Sequence, residues 1–307
     1  MSGIQLVQIG KERRQEFIRA WEAAFSRQLE SNLYDWIFDG VNLAYVALID
    51  GQVAGGYCLY PMGCVFEGRP STALLCNNVF VHPEHQGKHL FSKLGKFALR
   101  DAGQRGYGHV AFGIPNRQAL PGHRRVGWGV QPTIKFLEKS RSKLDVSDVL
   151  WFQHSLNEQQ RAQIQKCSEE AAKDRAFSII KTADFVRWRY ESKPGTAYWF
   201  GLIFEGEQLK AYCVCKLYEP KRTLHVLDID GVSAECLKRL VGQVSNIPEE
   251  FDKVNLWGTT AHAELFVESG FEEVDLEDNL IFIKPSDLQA VYFGGGVNVC
   301  LADNDVY

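Results

Sequence analysis

Residues 79–99, VFVHPEHQGKHLFSKLGKFAL, constrain the fold more than any other stretch of the chain. An apolar run that stops at Pro83 reads as a β-strand, and Gln86-Gly87-Lys88 reads as a loop. Leu90, Phe91, Leu94, Phe97 and Ala98 then recur at helical spacing, which predicts an amphipathic helix from about Lys88 to Ala102. A loop of this kind leaves the first amides of the helix unpaired at the positive end of its dipole. Such an arrangement binds phosphate.

The rest of the chain narrows what that phosphate can belong to. A length of 307 residues accommodates two domains, and 45% hydrophobic with 23% charged residues is ordinary for a globular protein. The net charge of −4, without a basic run, argues against a nucleic-acid partner, whose affinity comes from clustered Lys and Arg. The first residues, MSGIQLVQIGKERRQEF, lack an apolar core of signal-peptide length, and no apolar run could span a bilayer. A cytoplasmic protein with no membrane partner is expected. The eight cysteines form no CxxC pair and read as free, buried thiols. His82, His85 and His89 lie close together, but with no Cys or carboxylate seen at ligand spacing the expectation is no metal.

The predicted elements give an α/β architecture with a mixed sheet. Helices are expected over 11–25 and 33–40, then strands over 44–50 and 53–68 joined by the Asp50-Gly51-Gln52 turn. A strand over 72–83, the helix already described, a strand over 108–116, a short helix over 117–127 and a strand over 132–139 follow. Residues 1–140 therefore read as one domain and the polar 141–175 as an exposed helical linker. Residues 176–290 replay the first domain at low similarity: ADFVRWRY echoes NLYDWIFDG, and YWFGLIFEGEQLKAYCVCKLY echoes YVALIDGQVAGGYCLYP. No glycine-bearing loop separates HVLDIDGV from its helix in the second copy, so only the first can hold the phosphate ligand. Residues 291–307 read as a Gly-rich tail.

The loop and its surroundings resemble the GCN5-related N-acetyltransferase (GNAT) superfamily. Its motif carries an Arg/Gln-x-x-Gly-x-Gly/Ala loop from the fourth strand into a helix that cradles the coenzyme A pyrophosphate. Here the loop is Gln86-Gly87-Lys88-His89-Leu90-Phe91, with His89 and Phe91 where small residues are usual. His89 can donate to a phosphate or point to solvent. A second family pattern, Asn-x-x-Ala-x-x-x-Tyr-x-x-x-Gly-Phe, is matched by Asn116, Ala119, His123, Gly127 and Trp128, with His123 at the Tyr position. The two-domain order and the ending LADNDVY resemble a bacterial subgroup, some members of which acylate nucleotide-linked amino sugars such as dTDP-3-amino-3,6-dideoxyhexoses. The resemblance implies tandem GNAT-like mixed-sheet domains, the second degenerate, acting as a monomer or dimer on acyl-CoA and a small amine.

Acyl transfer from a thioester to an amine needs an unprotonated amine, a stabilised carbonyl oxygen, a protonated leaving thiolate and aligned reactants. The resemblance places backbone amides near Val79, Phe80 and Val81 along the pantetheine arm. Relatives often place a carboxylate near Asn77 and Asn78, whereas here a neutral amide can only position a water. Strand alternation would direct those two side chains to opposite faces. His123 is the candidate acid–base group because its ordinary pKa lies near neutrality, the alternative being a solvated surface His. Asn116 either bonds the pantetheine arm or caps the following helix. Tyr34, Arg189, Tyr198, Asp303 and Asp305 are the candidate acceptor contacts, with core packing or a frayed terminus as the alternatives. An aminoacyl-tRNA-dependent peptidyl transferase would need a basic RNA face, against which the net charge of −4 argues, while the missing carboxylate on the fourth strand keeps a non-catalytic acyl-CoA sensor open.

Overall fold

The structure, a computed structural model, describes residues 3–38, 42–144, 147–153, 155–259 and 261–304. It divides into two units, the first within 1–62, 71–132 and 278–292 and the second within 63–70, 133–277 and 293–307.

In the first unit a strand that the sequence reading missed, β1 (Ile4–Ile9), precedes α1 (Arg14–Phe25) and α2 (Ser31–Phe38). β2 (Leu43–Ile49), β3 (Gln52–Phe66) and β4 (Arg69–Val81) follow, then α3 (Leu90–Gln104), β5 (Val110–Gly113) and α4 (Leu120–Val126). The strands lie in the order β1-β2-β3-β4-β5, continued by Ile281–Lys284 and Gln289–Ala290. Asp50 and Gly51 take φ of 51° and 79°, the left-handed pair that a tight β2–β3 hairpin requires.

All seven residues of β2 are buried, because helices cover both faces of the sheet. Tyr45 and Ala47 join the cluster formed with Leu90, Leu94, Ala98 and Leu99 of α3. Ala44, Val46 and Leu48 join Phe17, Ile18 and Trp21 of α1 and Tyr34 of α2. Gly55 and Gly56 admit Phe80 against β3, since a Cβ at Gly56 would stand 2.3 Å from the Phe80 ring.

The second unit repeats the plan. Its strands run in the order 272–278, 134–140, 253–258, 223–231, 208–218, 199–205, 150–153, with one parallel pair between 223–225 and 253–255. Three expectations are corrected here. The strand Ile134–Ser140, expected to close the first domain, pairs antiparallel with Lys253–Gly258 in the second sheet. Reciprocally, Ile281–Lys284 pairs antiparallel with β5 in the first. The stretch expected as an exposed bridge contains the sheet strand Leu150–Gln153 and the helix Glu158–Ala172. That helix starts at an Asn157/Gln160 capping box and buries Ile164, Cys167 and Ala172.

Charge is buried inside the second unit. Lys181, 2% exposed, pairs with Asp303 and lies 3.7 Å from Asp228, which accepts the Tyr190 hydroxyl at 2.8 Å. Arg175 pairs with Asp230 at 2.6 Å. Lys181→Met strands two buried carboxylates, and removing one partner of such a cluster costs about 3–5 kcal/mol. Urea denaturation should show that loss, and a change below about 1 kcal/mol would contradict the assigned network.

Candidate active site

β4 and β5 run parallel through three residue pairs, the last being Leu75 with Phe112, and then part. Three residues later Asn78 sits at φ 44°, a left-handed conformation that Asn tolerates better than other non-glycine residues. This break in the strand overturns the expected alternation. Asn77 and Asn78 are joined, Asn78 Nδ2 donating to Asn77 Oδ1 at 3.0 Å. Trp21 Nε1 donates to Asn78 Oδ1 at 2.9 Å, and Asn77 Nδ2 donates to the Leu75 carbonyl at 3.4 Å.

Beyond the break, Val79, Phe80 and Val81 line a cavity of about 760 Å³, a size suited to a cofactor. Gln86, Gly87, His89, Leu90, Phe91 and Asn116 line it too, so nine of the ten residues expected to bind cofactor converge on one cavity. Lys88, the tenth, is exposed beside it, with Nζ 3.2 Å from His85 Nδ1. Gly87 and His89 both take left-handed φ, 76° and 59°. His89 occupies the N-cap of α3 but donates and accepts no capping bond through its side chain, and the first turn of α3 carries no acid. The amides at that end are therefore left to a ligand. By contrast, the corresponding helix of the second unit, Ala234–Gln243, is closed by Ser233, whose side chain accepts the Cys236 amide.

The sequence reading missed Arg125, which also lines the cavity. Its side chain makes no ion pair or hydrogen bond among the described residues. Its position two residues beyond His123 on α4 was the available signal. Asn116 both lines the cavity and closes the turn that leads into α4, its Oδ1 accepting the Ala119 amide at 2.8 Å.

Other expected site residues lie elsewhere. His123 is 4% exposed and does not line the cavity. Phe91, Trp128 and Tyr57 surround its ring at centroid distances of 5.0, 5.5 and 6.0 Å. Burial pushes its pKa down to about 3, so it is a neutral core imidazole, poorly suited to accept a proton near neutrality. Tyr34 packs against Phe38 at 4.4 Å under the Arg14 guanidinium, and burial raises its pKa to about 12. In the second unit Tyr198 is fully buried, and Arg189 donates to the carbonyls of Ala302 and Asn304 at 2.9 and 2.8 Å. Asp303 is held by Lys181, so the tail is packed into its own unit as far as Asn304. Asp305 lies outside the described residues. These four placed residues are core or network groups, because side chains so deeply buried have no face to offer a substrate. The histidine argument against a metal overlooked Glu84: donor atoms of His82, Glu84 and His85 lie within 4.8 Å of one another.

Residues 6–131, the span that contains this cavity, match the family described as the acetyltransferase (GNAT) domain. The chain carries a GNAT acetyltransferase domain. A GNAT domain takes acyl-CoA as co-substrate, and the protein is an acyl-CoA-dependent N-acyltransferase. Among solved structures, the fold is similar to a GCN5-related N-acetyltransferase from Anabaena variabilis ATCC 29413 (TM-score 0.73, 14% identity, 92% of this chain and 73% of that one). It is also similar to one from Kribbella flavida (TM-score 0.68, 13% identity, 93% and 72%). Saccharomyces cerevisiae N-myristoyltransferase with bound myristoyl-CoA has a similar fold as well (TM-score 0.59, 9% identity, 92% and 83%). No curated protein matches the chain at a significant level. No helix among the described residues is long and apolar enough to cross a membrane.

The buried His123 has a consequence for acid stability. Its pKa is about 3 folded against about 6.5 unfolded, so below pH 6.5 the unfolded chain binds a proton that the folded GNAT domain does not. Stability is lost as pH falls from about 6.5 toward about 3. A His123→Phe variant should flatten this part of the stability–pH curve. An unchanged slope would contradict the assignment.

Proposed function

We propose that the first unit carries the working active site. There it transfers an acyl group from coenzyme A directly to a small primary amine, and a nucleotide-linked amino sugar is the first acceptor to test. The observation that carries this reading is the uncapped, acid-free start of α3 opening on the same cavity as the freed edge of β4. The amides at Gly87–Phe91 and the Arg125 guanidinium would hold the pyrophosphate by charge-assisted bonds. The backbone at Val79–Val81, no longer paired with β5, would hold the pantetheine amides and polarise the thioester carbonyl.

The acceptor class is supported by the chemistry of Asn77 and Asn78. A carboxamide cannot take the proton of an ammonium group, so the site favours an amine that is already unprotonated near neutrality. Amino-sugar amines are less basic than a lysine side chain. The amine attacks the thioester carbon, its C–S bond breaks, and the amine proton leaves through water while the thiolate is protonated. His123 is not placed in this scheme, and neither are the buried Tyr34, Arg189, Tyr198 and Asp303.

Incubation with acetyl-CoA and a panel of amino sugars and other amines, following free thiol, tests the reading. Thiol release that depends on an amine is expected, and coenzyme binding with no amine-dependent release would contradict it. Arg125→Ala should weaken coenzyme A binding about tenfold by calorimetry, the value of one lost charge-assisted contact. Gly87→Ala should also weaken it, because φ of 76° strains any residue with a Cβ although the space there is open. Affinity unchanged in both variants would remove the loop from the cofactor site.

A further inference from the structure

We propose that the turn His82-Pro83-Glu84-His85 is a zinc site. One ring nitrogen of each histidine and the Glu84 carboxylate hold the ion, and water completes its coordination. The site draws on none of the acyl-transfer chemistry.

Donor atoms of these three side chains lie within 4.8 Å of one another. Two imidazoles and a carboxylate suit zinc, which takes nitrogen and oxygen at about 2.0–2.2 Å and accepts a water in a fourth, open position. The backbone explains why they converge. Pro83–His85 is a single 3-10 turn, and in such a turn side chains three residues apart stand one above the other. His82 and His85 are thereby brought together, with ring centroids 5.8 Å apart. Two imidazoles on one tetrahedral zinc have centroids about 5 Å apart at those bond lengths, so the pair already stands near the spacing a shared ion requires. Glu84 is exposed and turns inward by side-chain rotation alone.

The turn is fixed before any ion arrives. The His82 amide donates to the Ala54 carbonyl and the His85 amide to the His82 carbonyl, both at 2.9 Å, and Pro83 locks its own φ. Gathering the ligands therefore costs side-chain rotations and no backbone rearrangement. Lys88 supplies a second observation. Its Nζ lies 3.2 Å from His85 Nδ1, and an ammonium only donates, so that nitrogen turns a lone pair toward a cation. The Lys88 side chain is exposed on a flexible stem, and zinc takes its place. At the other histidine, the Glu84 amide reaches His82 Nδ1 at 3.4 Å, too long to compete with a metal bond. The turn stands immediately before Gln86-Gly87, and His85 also lines the cofactor cavity, so a bound ion pins the entry to the loop that precedes α3.

Cobalt(II) titration of the untagged full-length protein, first stripped with a chelator, tests the site. One equivalent should give the visible bands of four-coordinate cobalt without the intense absorption of thiolate ligation, and zinc should erase them. His82→Ala and His85→Ala should each weaken zinc binding at least about tenfold, read by competition with a chromophoric chelator. Lys88→Met, which removes the competing ammonium, should tighten zinc binding about threefold, a gain that a poorly folded variant would not show. Absent cobalt bands, thiolate absorption, or zinc affinity unmoved by both histidine substitutions would each overturn the proposal.

Discussion

Two parallel strands that stop pairing after Leu75 and Phe112 create the opening on which the site depends. A strand inside a sheet has its amides and carbonyls consumed by neighbours, and a strand whose neighbour turns away must find other partners or keep them for a ligand. The left-handed Asn78 makes the departure sharp, and the glycine pair on β3 lets Phe80 sink beneath it. Val79–Val81 then run along a cavity wall and not through a closed ladder. Everything assigned to the acyl group follows from that separation.

The two units share a plan and differ where electrostatics matters. In the first, α3 begins after a loop with two left-handed residues, without a capping side chain or an acid in its first turn. In the second, Ser233 closes the equivalent helix, Glu235 lies in its first turn, and the nearby strand carries Asp228 and Asp230 inside a buried ionic network. An anion is attracted to one helix start and poorly served by the other. The second unit has invested the same topology in internal charge pairs that its own tail completes through Asp303.

Much of this was legible in the sequence because it is periodic or punctuated. The 3.6-residue pattern of Leu90–Ala98, the Asp50-Gly51 turn and the glycine loop fixed their elements through local chemistry alone. Membership of a sheet was not legible. The run 134–140 reads as a strand by its alternation, yet nothing local says that it pairs with 253–258 and not with β5. Burial was the other blind spot. Tyr34, Tyr198, Arg189 and Asp303 are residue types that also serve ligands, and only the tertiary structure shows that other residues have taken them up. His123 falls on the family spacing, but the aromatic rings of Tyr57, Phe91 and Trp128 that lower its pKa come from three separate segments. The Asn77–Asn78 pair was missed as a pair because strand alternation, a sound rule, fails at a residue with positive φ.

A crystal structure of the protein grown with coenzyme A tests the central claim most directly. The account predicts diphosphate density within hydrogen-bonding distance of the Gly87–Phe91 amides, with the pantetheine arm running along Val79–Val81. Cofactor density in the second unit, or in the first unit but away from that helix start, would contradict it.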